Sequence, residues 1–239
     1  MNRSLRRPRV VANFAITADG KVSTRNFTRT GFTSQADKRR LLEIRSLGDA
    51  LLAGASTVAK DQMSMGLTAD DLRERRRSQG RPAEPLRVIV SNRGAVDFSW
   101  KVFGTPGAPI VVFSTQRMSQ RVRASVVRRA DLWIFRAPYV ELAAALQILR
   151  HEYHVRTVVC EGGPRLFRAL LEIGAVDELH LTWAPLIFGG AKAPTLTGIP
   201  DQFLPATIRG RLRHMRVEGG ECFLTYALRV SGCRVAPRD

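Results

Sequence analysis

The stretch Thr157–Leu171 reads TVVCEGGPRLFRALL, and the architecture of the whole chain turns on how it is read. A β-branched, apolar run from Thr157 to Cys160 ends in the carboxylate of Glu161. Two glycines turn the chain, and Pro164 opens an amphipathic segment in which Leu166, Phe167, Leu170 and Leu171 recur at helical spacing. A strand, a glycine corner and a helix make one unit of an α/β fold, and in such sheets ligands collect outside the carboxyl ends of the strands. Gly162 and Gly163 let the backbone approach a bulky group with no Cβ between them. Pro164 suits the first helical position, where a missing N–H costs nothing. The amides of Arg165, Leu166 and Phe167 are then expected to face outward at the positive end of the helix dipole. Such a cradle would hold a diphosphate, with about 0.3–1 kcal/mol from the dipole alone. Glu161, at the end of a buried strand, needs a donor. The helix start could supply it, but the ring N–H or amino groups of a substrate would leave the cradle to the phosphates.

Outward from this corner, short β-rich runs alternate with helical patterns. RVVANFAIT (Arg9–Thr17) reads as a strand followed by an Asp19-Gly20 turn, and Ser34 caps a helix over 35–47. DALLAG, RVIVS, IVVFS and DLWIF read as further strands, with helices over 116–129, 140–151 and 164–173, the last stopped by Gly174. Strand patterns return in DELHLTWAPLIFGG and ECFLTYALRV. The alternation predicts one α/β domain, a mostly parallel central sheet with helices on both faces. The last two strands have no helix between them and are expected to pair antiparallel at an edge. The domain is read as 1–239, with a core of about 9–230 and tails at 1–8 and 231–239. Thr68–Pro85 is charged and contains Gly and Pro, and reads as an exposed helix and loop.

A second corner resembles the first. DALLAGASTVAKD ends a strand at Ala53, turns on Gly54 and starts a short helix with Ser56 and Thr57. Small hydroxyls beside exposed amides suit phosphate or ribose oxygens, although simple N-capping by Ser56 or Thr57 accounts for them equally well. Two such corners on one sheet point to a dinucleotide. The spacing does not match G-x-G-x-x-G, which disfavours an ordinary Rossmann site.

Composition bounds the rest. The 239 residues carry 38 Lys and Arg against 21 Asp and Glu, a formal charge of +17. That excess suits either a nucleic-acid surface or phosphorylated small molecules. The basic residues are scattered over turns and helix faces, without a zinc finger, an RNP-type strand or a long basic helix, so a solvated surface is the simpler reading. No nucleic-acid partner is expected. No apolar run nears the roughly 20 residues of a membrane span, and the basic start has no apolar segment behind it, so a cytoplasmic protein is expected. Cys160, Cys222 and Cys233 form no C-x-x-C pair and read as unpaired thiols. His151 and His154 straddle an expected helix end, and no metal site is expected.

Taken in order, these stretches resemble the RibD C-terminal reductase family of riboflavin biosynthesis, whose fold is similar to dihydrofolate reductase. NFAITADGKVST resembles the family's opening strand and Asp-Gly turn. FTSQADKRRLLEIRSLGDALLAGASTVAKD is similar to its helix, strand and Gly-x-x-Thr-Val segment. VVCEGGPRLFRALLEIGAVDELHLTWAPLIFGG follows its Glu-Gly-Gly signature and closing Gly-Gly. The resemblance runs from about Arg9 to Arg229. Neither H-x-E nor P-C-x-x-C occurs, so the standalone form is expected rather than a fusion to a zinc deaminase.

The resemblance implies an NADPH-dependent reductase that converts a phosphoribosylamino-pyrimidine, a diaminopyrimidinone or its deaminated uracil analogue, to the ribitylamino form. It implies that Gly54, Thr57, Asp61, Asn92 and Gly162, Gly163, Pro164, Arg165, Leu166 and Phe167 hold the nucleotide. Arg93 is added as a partner for the 2′-phosphate. Asn13, Thr30, Arg45 and Glu161 would face the phosphorylated pyrimidine, with Glu161 as the catalytic orienting group. A homodimer is implied as well. The chain departs from the family where Asp61 should lead into Asp-Pro-x-Leu-Thr-x-Arg, since it reads DQMSMGL, with Met63 and Met65 in the motif's place; Phe32 stands where Trp is usual. A different small C=N, C=C or carbonyl substrate is therefore the first alternative, and a noncatalytic basic nucleotide- or nucleic-acid-binding protein the second.

Overall fold

The computed structural model describes residues 7–23, 34–198 and 203–230. Thr30 and Phe32 lie outside the described residues. Among the described residues nine strands form one sheet: β1 (Arg9–Thr17), β2 (Ala50–Gly54), β3 (Leu86–Ser91), β4 (Ile110–Thr115), β5 (Asp131–Phe135), β6 (Thr157–Cys160), β7 (Glu178–Ala184), β8 (Ile208–Glu218) and β9 (Glu221–Val230). Seven helices among the described residues connect them: α1 (Gln35–Leu47), α2 (Ala55–Lys60), α3 (Asp70–Ser78), α4 (Lys101–Gly104), α5 (Gln120–Val126), α6 (Leu142–His151) and α7 (Pro164–Glu172). The strand order is β5-β4-β3-β2-β6-β1-β7-β9-β8. Every pairing from β5 to β7 is parallel, and β9 pairs antiparallel with both β7 and β8.

The central strands β1, β2, β3, β4 and β6 are apolar on both faces because helices cover both. Val10, Ala12, Leu52, Val158 and Cys160 point to the face packed by Leu146, Leu149, Phe167 and Leu170 of α6 and α7. Val11, Leu51, Ala53, Ile89 and Val159 point to the other, against Ile44 of α1, Val58 of α2 and Val126 of α5. Cys160 is wholly buried, and burial pushes its thiol up to about 12. No described helix is long and apolar enough to cross a membrane.

Most elements fall where the pattern puts them. The helix expected over 116–129 is shorter: Ser119 accepts from the Val122 amide, and the helix runs only from Gln120 to Val126. The pattern does not reveal β8, whose every other residue from Arg209 to Arg213 is arginine and whose register slips between Leu212 and His214. The antiparallel edge is therefore a hairpin added beyond β7, turned at Gly219 and Gly220, both at positive φ.

The segment read as an exposed helix and loop does more than cover surface. Arg76 is 1% exposed. Its Nη1 donates to the carbonyls of Ser46 (2.8 Å) and Gly48 (2.6 Å), and its Nε to that of Pro82 (2.8 Å). Arg81 donates to the carbonyls of Ser46, Leu47 and Gly48 and to Asp49. Two guanidiniums thus satisfy the carbonyls that α1 leaves open at its C-terminus. Burial holds Arg76 down to about 10. At the other end Ser34 accepts from the Asp37 amide (3.0 Å) and its hydroxyl donates to Glu221. α1 is pinned at both ends, and it carries Arg45.

Candidate active site

β2 and β6 are neighbours, in register at Leu52 and Cys160, so their carboxyl-end corners lie side by side. The Gly54 amide donates to the Gly162 carbonyl (2.8 Å), and the Glu161 amide to that of Leu52 (3.0 Å). Gly162 sits at φ 99°, and a Cβ there would lie 3.1 Å from the Phe14 ring, which packs on Phe167 at 4.7 Å between centroids. The Gly162–Gly163 peptide is cis. A Cβ on Gly163 would stand 2.5 Å from Thr57 Oγ1, so the second corner's hydroxyl fills the space that the first corner's glycine leaves. This close approach has no counterpart in the linear pattern.

The cradle is narrower than the sequence suggests. Leu166 and Phe167 do not offer free amides, for both donate to the Gly163 carbonyl, at 3.0 and 3.1 Å. Of the three expected amides, that of Arg165 keeps no acceptor among the described residues, with no side chain capping the helix and Pro164 at its start. In the other corner Gly54 is the N-cap and makes no side-chain bond, so neither Ser56 nor Thr57 serves as a cap. Their hydroxyls stand on the first turn of α2 instead. Asp61 closes α2, its amide donating to the Thr57 carbonyl (2.9 Å).

Glu161 is not the unpaired carboxylate its position suggests. Arg45 Nε donates to Glu161 Oε1 (2.6 Å) and Arg45 Nη2 to Oε2 (2.7 Å), a two-point clamp, while Arg45 Nη1 donates to the Gly66 carbonyl (2.7 Å). The two side chains are 10% and 5% exposed. Burial works against the Arg45 charge, but the Glu161 carboxylate outweighs it and raises the guanidinium above its ordinary value. Both are expected site residues, and the fold binds them to each other. The connection was invisible because 116 positions separate them.

Asn13 lies on β1 beside this pair. It shares the face of Val11 and is paired in register with His180 of β7, half-buried. His180 Nε2 meets Glu178 Oε1 at 2.7 Å, and its Nδ1 faces Thr225 Oγ1 at 3.2 Å and Arg40 Nη2 at 3.4 Å. Asn92 follows β3. Its Oδ1 accepts from the Val140 amide (2.8 Å) and its carbonyl from Thr115 Oγ1 (2.8 Å), so half of its side chain is engaged in tying loops together. Arg93 beside it is exposed.

The segment that departs from the family motif turns inward. Met65 and Leu67 are fully buried, Met65 at φ 52°, and Gly66 between them receives Arg45. Asp19, read as a turn former, also accepts from Thr17 Oγ1 (2.5 Å) and the Gly189 amide (2.7 Å), which fastens the closing Gly-Gly loop to the end of β1. Those contacts, the Thr17 hydroxyl first, hold its carboxyl below the ordinary value. Among the described residues no group of three or more His, Cys, Asp or Glu is arranged to hold a metal.

With this geometry in place, the chain can be compared with known proteins. The family model of the RibD C-terminal domain matches residues 8–221. A 2,5-diamino-6-ribosylamino-4(3H)-pyrimidinone 5′-phosphate reductase from Archaeoglobus fulgidus is 31% identical over 190 residues, 80% of this chain and 86% of that protein. The reductase of the same name from Methanothermobacter thermautotrophicus is 28% identical over 227 residues, 93% of this chain and 99% of that one. In fold, a pyrimidine reductase-like protein from Corynebacterium diphtheriae matches with a TM-score of 0.81 at 24% identity, over 94% of this chain and 93% of that one.

Proposed function

The chain belongs to the RibD C-terminal domain family, and from that premise we propose that it reduces a ribosylaminopyrimidine phosphate with NADPH. The substrate is the 2,5-diamino-6-ribosylamino-4(3H)-pyrimidinone 5′-phosphate for which its relatives are named, or its deaminated uracil analogue. The observation that carries the reading is the interlocked pair of corners, Gly54–Thr57 against Gly162–Pro164, beside the buried Arg45–Glu161 clamp.

The corners fit a dinucleotide. Gly54 and Gly163 keep side chains out of the notch, the Arg165 amide and the Ser56 and Thr57 hydroxyls line it, and Arg165 adds an exposed charge. Gly54, Thr57, Asp61, Asn92, Arg93 and Gly162 through Phe167 hold the nucleotide in this reading. NADPH, when bound, supplies a hydride. The chain's part is to position the acceptor: Asn13, Thr30, Arg45 and Glu161 orient the pyrimidine and its ribose phosphate. Glu161 spends one lone pair on each bond to Arg45, and a carboxylate has about four, so its oxygens still accept from ring N–H or amino groups. Opening of the ribosylamine gives a C=N bond; hydride adds to the sugar carbon and a solvent proton to the nitrogen. Holding two ligands in contact is the main rate term in such chemistry, with no strong side-chain acid required.

The reading includes a cytoplasmic location, in keeping with free thiols at Cys160 and Cys222. It also includes a homodimer. Leu212, Met215 and Val217 are 48%, 60% and 63% exposed on the β8 hairpin, and Trp183, cross-strand from Cys222, which itself pairs with Val217, is 45% exposed on the same face. Apolar area of this kind is a common protein interface. A second reading keeps the enzyme class and changes the substrate, because Met65 and Leu67 are buried where the family's substrate-contacting segment lies.

NADPH oxidation, followed by absorbance against both pyrimidine phosphates and a panel of imines and carbonyls, tests the proposal. Turnover confined to the pyrimidine phosphates supports it. Turnover of panel compounds alone favours the second reading, and salt-sensitive DNA binding without NADPH binding rejects both.

A further inference from the structure

The parallel strands carry the candidate active site at their carboxyl ends; at the amino ends of β3, β4 and β6 the surface opens into a different cleft, of about 700 Å³. Pro82, Leu86, Pro109, Tyr153 and Val155 give it an apolar wall. Tyr153 is fixed there by its hydroxyl, which donates to Asp131 Oδ2 (3.0 Å) and accepts from Trp133 Nε1 (3.0 Å). His154 lines this cleft and also a second one, of about 460 Å³, whose other lining residues are Arg150, His151 and Arg156. No carboxylate lines the second cleft, and none of its four side chains has a hydrogen-bond or ion-pair partner among the described residues. The backbone that carries them is pinned. The Val155 amide donates to the Leu149 carbonyl (3.0 Å) across the end of α6, and His154 between them takes φ 54°. The amides of Arg156 and Thr157 both donate to Asp49 Oδ2, at 2.9 and 3.0 Å. The C-terminus of α6 by itself accounts for Arg150 and His151 in its last turn. It does not account for His154 and Arg156, which the chain brings to the same cleft after leaving the helix.

Two guanidiniums and two imidazoles around one opening, with no anion among them, are a seat for a phosphate, which they bind through charge-assisted hydrogen bonds. The larger cleft is of the size and apolar character that take a flat ring. Glu84 stands in its wall, with Oε1 accepting from Arg73 Nη2 (2.6 Å). The other oxygen, Oε2, is buried without a hydrogen-bond partner among the described residues, and a Cβ on the neighbouring Gly107 would stand 2.8 Å from it. A buried carboxylate oxygen without a donor is costly, and an amino group on a ring seated in the cleft supplies one. We infer that the amino edge of the sheet holds a ligand site of its own, for a mononucleotide with an amino-bearing base. The base lies against Tyr153 and the two prolines, and the phosphate rests on Arg150, His151, His154 and Arg156. The inference is independent of the proposed cofactor and substrate positions, which lie at the opposite edge of the sheet.

The test is calorimetric titration of AMP, adenosine and ribose 5-phosphate into the full chain and into Arg156→Ala, His154→Asn and Ala83→Trp. Arg156 is exposed and Asn tolerates the left-handed backbone of His154, so these two variants should keep the thermal midpoint. Ala83→Trp fills the ring cleft without touching a cation. AMP is expected to bind the unaltered protein at least about tenfold more tightly than adenosine or ribose 5-phosphate. Loss of a charge-assisted contact predicts that Arg156→Ala and His154→Asn each weaken AMP about tenfold while leaving adenosine within about twofold. Ala83→Trp should weaken AMP and adenosine alike and spare ribose 5-phosphate. Ribose 5-phosphate bound as tightly as AMP would reduce the cleft to surface charge and overturn the inference. AMP affinity that all three variants leave intact places the nucleotide elsewhere in the molecule, and an unaltered protein that binds no AMP has no such site; either result overturns it.

Discussion

Arg45 reaches from α1 to the end of β6 and holds both oxygens of Glu161, at 2.6 and 2.7 Å. Removing one partner of a buried ion pair strands the other, which costs about 3–5 kcal/mol, whereas replacing both by apolar groups is often nearly neutral. Glu161→Gln is therefore expected to lower the midpoint of denaturant unfolding and to abolish most turnover. The Arg45→Met/Glu161→Leu pair should recover most of the stability and none of the turnover. A double variant that regains activity would reduce the clamp to scaffolding.

The contact between Gly163 and Thr57 makes a second prediction. Gly163→Ala puts a methyl group 2.5 Å from Thr57 Oγ1, an overpacking expected to cost about 1–3 kcal/mol. Adding Thr57→Ala removes the clash and should restore the thermal midpoint. NADPH affinity should stay low in the double variant, since the notch has lost both its opening and its hydroxyl. Coupling between the two sites, read as a double-mutant cycle in stability, is the measurement; additive effects would show that the corners do not touch.

How much of this was legible in the sequence follows from what each feature depends on. Strand and helix order came from local periodicity, and all the strands from β1 to β7 were readable because two helix layers force apolar runs on both faces. β8 was not: alternation of Arg with Ile208, Gly210 and Leu212 looks like a charge run when nothing buries it. The two corners were readable from glycine placement. Their interlocking was not, nor was the clamp, since Arg45 on α1 meets Glu161 after β6 only through tertiary packing, across 116 positions of sequence. The open amides of Leu166 and Phe167 were misread because the first helical bonds close back on Gly163, a geometry that glycine and proline alone do not announce.

A pH dependence follows from Glu178. The hydrogen bond from His180 comes first, and the Arg9 charge adds to it against burial, so the carboxyl lies below its ordinary 4.5. A carboxylate depressed in the folded state stabilises it fully above the unfolded value and loses that contribution as pH falls through the lower folded value. Glu178→Gln should therefore lower the melting temperature at neutral pH, and the gap from the unaltered protein should close as pH falls below the ordinary 4.5 and through the lower folded value. A gap that is constant across the acid range would assign the effect to packing.

The exposed stripe on the outer hairpin supplies the last prediction. Met215→Glu and Val217→Lys place charges on residues 60% and 63% exposed, so the fold should tolerate them at a cost within about 0.5 kcal/mol. Sedimentation is expected to find a dimer for the unaltered protein and a monomer for these variants. An unaltered assembly would move the interface elsewhere.

Arg76 and Arg87 cross-link loops through carbonyl oxygens: Arg76 to Ser46, Gly48 and Pro82, Arg87 to Val102, Thr105 and Ala108. Each such tie adds a cation to the molecule without adding an anion. A protein stitched this way grows alkaline through its own carpentry, and part of its affinity for a cation-exchange resin would say nothing about what it meets in the cell.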